Sequence, residues 1–340
     1  MSRHSFTRSA CFFLPLHSLD PSFVGIRATY TDLYPSFVGM TMPLRTPTHY
    51  SPLTTHHSPL TTHHFPRPLP QMKKLNWKRI FWTTLVIYLI GGMALYFLQD
   101  AVLFHPVTLN RQYSYNFPQP HKDISIPLTN EDTLSLVDFS STDTVTRGVV
   151  LYFHGNKRNI SWYAKYIPYF TRHGYQVLMI DYPGFGKSTG KLTEKKLYEW
   201  SLLVYKLAIK RFAADSIIIY GKSMGTGIAA QLASVRDCKR LILETPYYDF
   251  PAVVSRYLPV YPVRWMLHYD LPTHQYIRQV GAPVTIFHGT NDGVVAYKNS
   301  KRLLPLLKPV DELITIDGGS HNNLYDYPAM VQKLDTVLSL

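Results

Sequence analysis

The chain has 340 residues, 46% of them hydrophobic, and a formal net charge of +13. This length accommodates one large α/β domain with additional segments. The positive charge is unevenly placed, because residues 1–79 hold nine Lys and Arg against two Asp. The remainder is only mildly basic, which argues against a nucleic-acid partner. The two cysteines, Cys11 and Cys238, lie in regions of very different composition, so neither a structural disulfide nor a cysteine-based metal site is expected.

Residues 1–71 do not have the composition of a folded domain. They contain ten prolines and seven histidines, and S-P-L-T-T-H-H occurs at residues 51–57 and again at residues 58–64. No helical or strand periodicity is present, so we expect this segment to be a disordered tail. Met72 then opens a basic flank at residues 72–79. We therefore hypothesise that Met72 is the natural start and that the tail is translated upstream sequence.

Residues 80–98 form an uncharged apolar stretch. At about 1.5 Å per residue, a helix of this length nearly crosses the ~30 Å hydrocarbon layer. A cleaved signal peptide is one alternative, but the stretch exceeds the usual apolar region of about 7–15 residues and no clear cleavage site follows it. A buried core helix is the other, and the all-round hydrophobicity argues against it. We predict one uncleaved transmembrane helix.

The charges beside this stretch predict its orientation. Lys73, Lys74, Lys78 and Arg79 precede it, whereas the thirteen residues after it carry only Asp100 and Arg111 as charges. The positive-inside rule then places the N-terminus in the cytoplasm and the C-terminal domain on the extracytoplasmic side of the membrane.

From about residue 105 to residue 340, runs typical of buried strands alternate with helical stretches. The alternation over residues 124–139, interrupted by a polar turn, predicts an antiparallel hairpin. The later runs lie at residues 149–153, 177–180, 217–220, 241–243, 284–287 and 313–316. A hairpin followed by repeated βα units predicts an α/β fold with an open, mostly parallel eight-stranded sheet and helices on both faces.

Ser223 follows one of these runs directly, within the sequence G-K-S-M-G of residues 221–225. A buried strand that leads into G-x-S-x-G, with helical sequence behind it, is typical of a nucleophile elbow. The two flanking glycines are expected because a Cβ at either position would collide with neighbouring backbone. This pattern predicts that Ser223 is a catalytic nucleophile.

Such a serine needs a base, and the base needs an orienting carboxylate. In this topology the partners follow in the order Ser, Asp or Glu, His, each just after a strand. Asp292 lies five residues past the run 284–287, and His321 lies five residues past the run 313–316. We therefore predict a catalytic triad of Ser223, Asp292 and His321.

Two other carboxylates are candidates for the orienting role in this triad. Asp317 and Asp326 both lie nearer to His321 in the sequence than Asp292 does. Asp292 is preferred because it follows the preceding strand, whereas Asp317 shares a loop with the histidine.

Acyl transfer also requires two preorganised N–H donors for the oxyanion. One is expected from the backbone of Met224, directly after the serine. The other is expected from the loop after the run 149–153, where we assign it to the backbone of Asn156. His154 in the same loop is expected to shape the loop and not to act as a second base.

Five motifs together resemble the α/β-hydrolase superfamily. They are H-G-N at 154–156, D-Y-P-G-F-G-K-S at 181–188, G-K-S-M-G at 221–225, H-G-T-N-D at 288–292 and G-G-S-H at 318–321. Over about residues 80–340 the sequence is similar to the single-pass, membrane-anchored α/β-hydrolase domain proteins of the Bem type. The resemblance implies a Ser-Asp-His hydrolase acting on an ester, thioester or amide, with neither a metal nor an organic cofactor. Residues 181–188 are expected to support the site without doing chemistry.

The connection at about residues 246–281 is longer than an ordinary loop. Its aromatic residues are Tyr247, Tyr248, Phe250, Tyr257, Tyr261, Trp265, Tyr269 and Tyr276. We hypothesise a small helical cap over Ser223 whose aromatic residues form an apolar acyl pocket. The alternative, that they only seal the cap onto the sheet, is equally open. Arg256, Arg264 and Arg278 are candidates for contact with an acidic head group.

These features together predict a membrane-anchored serine hydrolase that cleaves a carboxylic ester or thioester of a lipid-like or acyl substrate. A serine peptidase or amidase of the same fold is the main alternative. A non-catalytic binding protein is the other, since fold alone does not fix function.

Overall fold

The computed structural model describes residues 75–340, which lie within one compact unit, Lys73–Leu340. The predicted disordered tail, the proposed start at Met72 and Cys11 lie outside the described residues.

The described chain begins with one long helix and continues as an alternation of strands and helices. The strands are β1 (His105–Pro106), β2 (His121–Pro127), β3 (Thr133–Phe139), β4 (Gly148–Phe153), β5 (Lys157–Arg158), β6 (Tyr175–Asp181), β7 (Ile217–Lys222), β8 (Arg240–Glu244), β9 (Val284–Gly289) and β10 (Glu312–Ile316). The helices are α1 (Trp77–Leu103), α2 (Ile160–Tyr163), α3 (Pro168–Thr171), α4 (Glu194–Ala208), α5 (Gly225–Val235), α6 (Phe250–Val254), α7 (Val263–Met266), α8 (Thr273–Tyr276), α9 (Lys298–Leu303) and α10 (Pro328–Ser339). Short 3-10 turns lie at Ala164–Tyr166, Ala214–Ser216, Ile277–Gln279, Leu304–Leu306 and Leu324–Asp326.

Eight of the strands form the central sheet, in the order β10-β9-β8-β7-β4-β6-β3-β2. The predicted hairpin is β2 with β3, in which Ile124 lies opposite Leu136, and β3 is also antiparallel to β6. In the part of the sheet that comprises β10, β9, β8, β7, β4 and β6, every neighbouring pair is parallel. The structure thus confirms the mostly parallel eight-stranded sheet of an α/β-hydrolase fold.

The middle of the sheet is buried on both faces, because helices pack on each side. Alternate residues of β4 point to opposite faces. Leu151 packs in one core cluster with Trp200 of α4 and Ile228 of α5, whereas Tyr152 packs in the other with Phe170 of α3. This double cover explains the uninterrupted apolar run G-V-V-L-Y-F of β4, all six residues of which are buried.

Helix α1 contains the predicted apolar stretch and is longer than it, with 27 residues. By length and composition α1 is able to cross a membrane. The predicted span ends at residue 98, directly before the polar residues Gln99 and Asp100. The helix continues past them because Gln99 is buried against the rest of the protein, where its amide bonds the backbone of Met266 and His268.

Candidate active site

The three predicted triad residues lie at the carboxyl edge of the parallel strands, where the sites of open α/β sheets are found. Ser223 follows the last residue of β7 directly, Asp292 comes three residues after β9, and His321 comes five residues after β10. The sheet order places β7, β8, β9 and β10 side by side. Loops from neighbouring strands therefore converge at this edge.

The backbone at Ser223 has the strained geometry of a nucleophile elbow. Its φ is 52°, in the left-handed region that non-glycine residues rarely adopt. A Cβ on Gly221 would collide with the carbonyl oxygen of Gly225, and a Cβ on Gly225 would collide with that of Phe153. The two glycines of G-x-S-x-G are thus required by close backbone approach, and they hold the serine hydroxyl at the top of the sheet.

The structure brings Ser223, His321 and Asp292 into one hydrogen-bonded chain. The Nε2 atom of His321 lies 2.9 Å from the Oγ atom of Ser223, and its Nδ1 atom lies 2.8 Å from the Oδ2 atom of Asp292. A carboxylate only accepts hydrogen bonds, so Nδ1 carries the proton and Nε2 is left to accept from the serine hydroxyl. The competing Asp317 lies elsewhere, where its carboxylate accepts a hydrogen bond from Thr290.

Asp292 is held as a carboxylate by its surroundings. The backbone N–H groups of Val294 and Val295 both donate to its Oδ1 atom, at 2.8 Å. Burial alone would raise the pKa of Asp292, but hydrogen bonds and charge interactions with His288 and His321 outweigh it and hold the pKa well below its ordinary value.

His288 is a supporting residue to which the sequence reasoning assigned no role. Its side chain is fully buried at the end of β9, with Nδ1 2.6 Å from the Oγ atom of Ser300 and Nε2 2.9 Å from the carbonyl oxygen of Val295. The same Nε2 atom lies 3.3 Å from Asp292. His288 therefore fixes the loop that carries the carboxylate. The only signal in the sequence was its place in the motif H-G-T-N-D.

The two residues predicted to supply the oxyanion donors both lie near Ser223. Met224 is buried at the start of α5, and Asn156 lines a cavity of about 220 Å³ together with Ser223 and His321. The backbone of Asn156 is fixed by the N–H of His105, which donates to its carbonyl oxygen at 3.0 Å. Among the hydrogen bonds of residues 75–340, none has the backbone N–H of Met224 or Asn156 as its donor.

His154 lies beneath this loop, where it is fully buried and its ring stacks on Tyr163. Its Nδ1 atom lies 2.7 Å from the carbonyl oxygen of Gly155, and its Nε2 atom lies 3.3 Å from Asp181. Asp181 in turn accepts a hydrogen bond from the backbone N–H of Ile160. The histidine and the first residue of the motif 181–188 therefore shape the loop that carries Asn156.

A buried ion pair lies under the elbow, and the sequence reasoning did not identify it. Lys222 ends β7 and Glu244 ends β8, and the two are paired neighbours in the sheet. The ammonium group of Lys222 bonds Glu244 and also lies 3.3 Å from the carbonyl oxygen of His321. The hydroxyl of Tyr220 donates to the same carboxylate. The sequence signal for this pair was the presence of opposite charges at the ends of two successive apolar runs.

The aromatic residues of the connection after β8 do not form an acyl pocket at Ser223. In the described part of the chain, the cavity at Ser223 is lined by Gly155, Asn156, Lys157, Arg158, Trp162, Tyr163, Lys222, Val294, His321 and Asn322. The hydroxyl of Tyr247 donates to the carbonyl oxygen of Met224, while the rings of Phe250 and Tyr269 pack on Phe104 at the end of α1. The three helices α6, α7 and α8 confirm a small helical segment, but its aromatic residues seal it onto α1 and the elbow.

The candidate head-group arginines of this segment do not reach the cavity either. Arg264 pairs with the buried carboxylate of Asp249 at 2.7 Å, and Arg256 and Arg278 are exposed. The basic residues that do line the cavity are Lys157 and Arg158 of β5, together with the paired Lys222.

Parts of the chain are similar to known proteins. A profile of the family described as "Serine aminopeptidase, S33" matches residues 144–276. An alpha/beta hydrolase domain-containing protein 17C from Xenopus tropicalis is 29% identical over 202 residues, which cover 57% of this chain and 62% of that relative. The alpha/beta hydrolase domain-containing protein aho-3 from Caenorhabditis elegans is 26% identical over 194 residues, covering 56% of this chain and 57% of that relative. The matched region thus spans less than two thirds of either relative.

Solved structures share the fold. A Pyrococcus furiosus esterase is 18% identical, with a TM-score of 0.53 over 70% of this chain and 96% of the esterase. A soluble variant of the monoglyceride lipase from Saccharomyces cerevisiae is 15% identical, with a TM-score of 0.51 over 68% of this chain and 98% of the lipase.

The sheet order, the elbow and these matches define an α/β-hydrolase fold. The chain is similar to alpha/beta hydrolase domain-containing proteins.

Proposed function

We propose that the protein is a membrane-anchored serine hydrolase that cleaves a carboxylic ester or thioester through an acyl-enzyme on Ser223. The observation that carries this proposal is the unbroken hydrogen-bonded chain from Ser223 through His321 to Asp292, at 2.9 Å and 2.8 Å. A nucleophile that lines a cavity, a base of fixed tautomer and an ionised orienting carboxylate are the groups that acyl transfer requires.

In the first half of the reaction, the Oγ atom of Ser223 attacks the acyl carbon and its proton passes to Nε2 of His321. The negative charge that develops on the former carbonyl oxygen is stabilised by the backbone N–H groups of Met224 and Asn156. When the tetrahedral intermediate collapses, the imidazolium donates its proton to the departing alcohol or thiol. The positive charge on His321 is stabilised throughout by Asp292.

In the second half, water replaces the leaving group. His321 accepts a proton from this water, whose oxygen attacks the acyl carbon of the Ser223 ester. Collapse of the second intermediate returns the proton to the Oγ atom of Ser223 and releases the carboxylic acid. The enzyme is regenerated with His321 neutral, so the cycle consumes one water per bond cleaved.

Helix α1 supports the anchored part of the proposal. None of the residues in its most apolar stretch is buried against the rest of the described chain. We propose that it crosses the membrane once, with the N-terminus in the cytoplasm and the domain after Leu103 on the extracytoplasmic side, as the basic residues before it indicate.

The substrate class follows from the anchor and the cavity. Trp162 and Tyr163 offer apolar surface beside Ser223, and Lys157 and Arg158 offer positive charge at the same cavity. This lining suits an acyl chain attached to a polar or acidic group. The profile match to serine aminopeptidases keeps amide cleavage as the second candidate. A panel of acyl esters, thioesters and aminoacyl amides of one acyl group, compared by kcat/KM, separates the two.

The test of catalysis is labelling of the full-length protein with a fluorophosphonate probe, which reacts only with an activated serine. We expect stoichiometric labelling of the parent protein and none of Ser223→Ala. The matched control is Ser234→Ala in α5, whose hydroxyl bonds only the carbonyl oxygen of Gln231. Failure of the folded parent protein to react would contradict the proposal and favour a non-catalytic binding protein of this fold.

A further inference from the structure

Helix α1 makes side-by-side contact with the segment of residues 257–266, which we call the tip segment. The rings of Tyr88 in α1 and Tyr261 in the tip segment stack with centroids 4.7 Å apart. The Tyr88 hydroxyl donates to the carbonyl oxygen of Val260 at 3.0 Å, and the Tyr261 hydroxyl donates to that of Tyr88 at 3.2 Å. Gly91 and Gly92 make room for the Tyr261 ring, since a Cβ on either would press against it.

The contact continues along the helix to its end. Gln99 is buried, donating from Nε2 to the carbonyl oxygen of Met266 at 3.2 Å and accepting at Oε1 from the N–H of His268 at 2.8 Å. At the last turn, the side-chain amide of Asn156 donates to the carbonyl oxygen of Leu103 at 2.6 Å. The contacted part of α1 therefore extends from Tyr88 to Leu103.

The lengths of the contacted and free parts can be compared with a bilayer. At about 1.5 Å per residue, the contacted part is about 24 Å long, and the free part, residues 77–87, is about 16 Å long. The hydrocarbon layer is about 30 Å thick, so the free part reaches only about halfway across it. A helix tilt makes this shortfall larger and not smaller. If α1 crosses the membrane, its contacts with the tip segment must lie at the depth of the hydrocarbon layer.

We propose that the tip segment is immersed in the hydrocarbon layer alongside α1, and that the lipid bilayer is the partner of this surface. The inference rests on the proposed transmembrane anchor and deepens it. It predicts that part of the hydrolase domain lies inside the bilayer. A transmembrane helix without this immersion would leave the whole domain in water.

The side chains of the tip segment suit a lipid environment. Val260 is 69% exposed and Trp265 is 86% exposed, and both are apolar residues that the rest of the described chain leaves largely uncovered. Residues 257–263 carry no charge. The one charge in the segment, on Arg264, is paired with Asp249 at 2.7 Å. A paired charge near the edge of the layer is tolerated, whereas an isolated one is costly.

The backbone of the tip segment meets part of the stricter requirement of the bilayer, while in the described chain the N–H groups of Val260 and Arg264 donate to no acceptor. Irregular backbone enters hydrocarbon only where its polar groups are satisfied within the protein. Pro259 and Pro262 have no N–H to satisfy. Six backbone N–H groups donate to nearby backbone carbonyls, and they belong to Tyr257, Leu258, Tyr261, Val263, Trp265 and Leu267. The carbonyl oxygens of Val260 and Met266 accept from side chains of α1.

Immersion would bring the bilayer to the rim of the active site. The hydroxyl of Tyr257, at the start of the tip segment, lies 3.2 Å from the carbonyl oxygen of Gly293 and 3.1 Å from that of Val294. Both residues belong to the loop that carries Asp292, and Val294 lines the cavity at Ser223. An acyl substrate could then pass from the bilayer to Ser223 without crossing water.

The depth of the tip segment can be measured with nitroxide labels on the full-length protein in phosphatidylcholine vesicles. After Cys11→Ala and Cys238→Ala, single cysteines are introduced by Val260→Cys and Trp265→Cys. Ile87→Cys, in the free part of α1 and 65% exposed, is the lipid reference. Val310→Cys is the water reference, because Val310 is 58% exposed and lies just before β10, at the end of the parallel strands opposite to Ser223. Fluorophosphonate labelling of each variant checks that the fold is intact.

The result expected is that labels at 260 and 265 collide with oxygen far more often than with a water-soluble nickel complex, as the label at 87 does. The ratio of the two collision rates should exceed that at 310 several-fold. A lipid-exposed label at 87 with water-exposed labels at both 260 and 265 overturns the immersion and leaves the anchor standing. A water-exposed label at 87 removes the anchor itself, and the immersion with it.

Discussion

The loops at the carboxyl edge of the sheet and the connection between β8 and β9 are held in place in different ways. Ser223, Asp292 and His321 each lie within five residues of a parallel strand, so the sheet itself fixes their separation. The connection contains only helices of four or five residues, α6, α7 and α8. Its position depends on side chains that contact α1, some 160 residues earlier in the chain. We therefore expect mutations at the carboxyl edge of the sheet to affect catalysis, and mutations in the connection to affect its attachment to α1.

The largest effect is expected at the carboxylate of the first region. Asp292→Asn would place an amide against Nδ1 of His321 and favour the wrong tautomer, and we expect a loss of about 10⁴-fold in kcat. Hydrolysis of a soluble acyl ester measures it. Asp317→Asn is the matched control, because Asp317 bonds Thr290 and not the histidine. Equal losses in the two variants would remove Asp292 from its proposed role.

The buried pair beneath the elbow should dominate stability. Lys222→Met leaves Glu244 buried without its partner, and we expect this to lower the free energy of unfolding by about 3–5 kcal/mol. The double variant Lys222→Met/Glu244→Gln removes both charges and should recover part of the loss. Thermal unfolding of the detergent-solubilised protein measures both.

Lys195→Met provides the contrast for this prediction. Lys195 pairs with Glu199 at 3.5 Å on the surface of α4, where its side chain is 83% exposed. An exposed pair of this kind contributes about 0.3–0.5 kcal/mol. A cost at Lys222 no larger than that at Lys195 would show that the buried pair does not hold the elbow.

The difference between the two regions also explains how much could be predicted from the sequence. The eight-stranded sheet and the approach of Ser223, Asp292 and His321 followed from local patterns, because a buried run and the loop after it are adjacent in the chain. The aromatic residues of the connection could be recognised but not placed. Whether Tyr261 packs against Ser223 or against Tyr88 depends on contacts between distant segments, which no local periodicity encodes. Lys222 and Glu244 became partners only through the register of β7 and β8.

An intermediate effect is expected where α1 meets the connection. Gln99→Leu removes the hydrogen bonds to Met266 of the tip segment and to His268, leaving the carbonyl oxygen of Met266 and the N–H of His268 unpaired. We expect a cost of about 1–3 kcal/mol in the free energy of unfolding. Gln112→Leu, at an exposed position after α1, should change it by less than about 0.5 kcal/mol. Similar values for the two variants would mean that α1 is not fixed to the connection through Gln99.

The smallest effect is the contribution of Asp292 to stability in acid. The pKa of this carboxyl is held below its ordinary value of 3.8 in the folded protein, chiefly because hydrogen bonds from His288 and His321 outweigh its burial. The unfolded chain therefore binds a proton first as the pH falls, so the contribution is fully present well above pH 3.8 and is lost as the pH falls through 3.8 towards the folded pKa. With an unfolded pKa of 3.8, linkage gives a loss of about 0.3 kcal/mol at pH 4 and about 1 kcal/mol at pH 3, relative to pH 7. Because other carboxyl groups titrate over the same range, the measurement is the difference between the parent protein and Asp292→Asn in unfolding free energy at each pH. A difference that stays constant from pH 7 to pH 3 would show that the two histidines do not depress this pKa, and the orienting role of the carboxylate would lose its electrostatic basis.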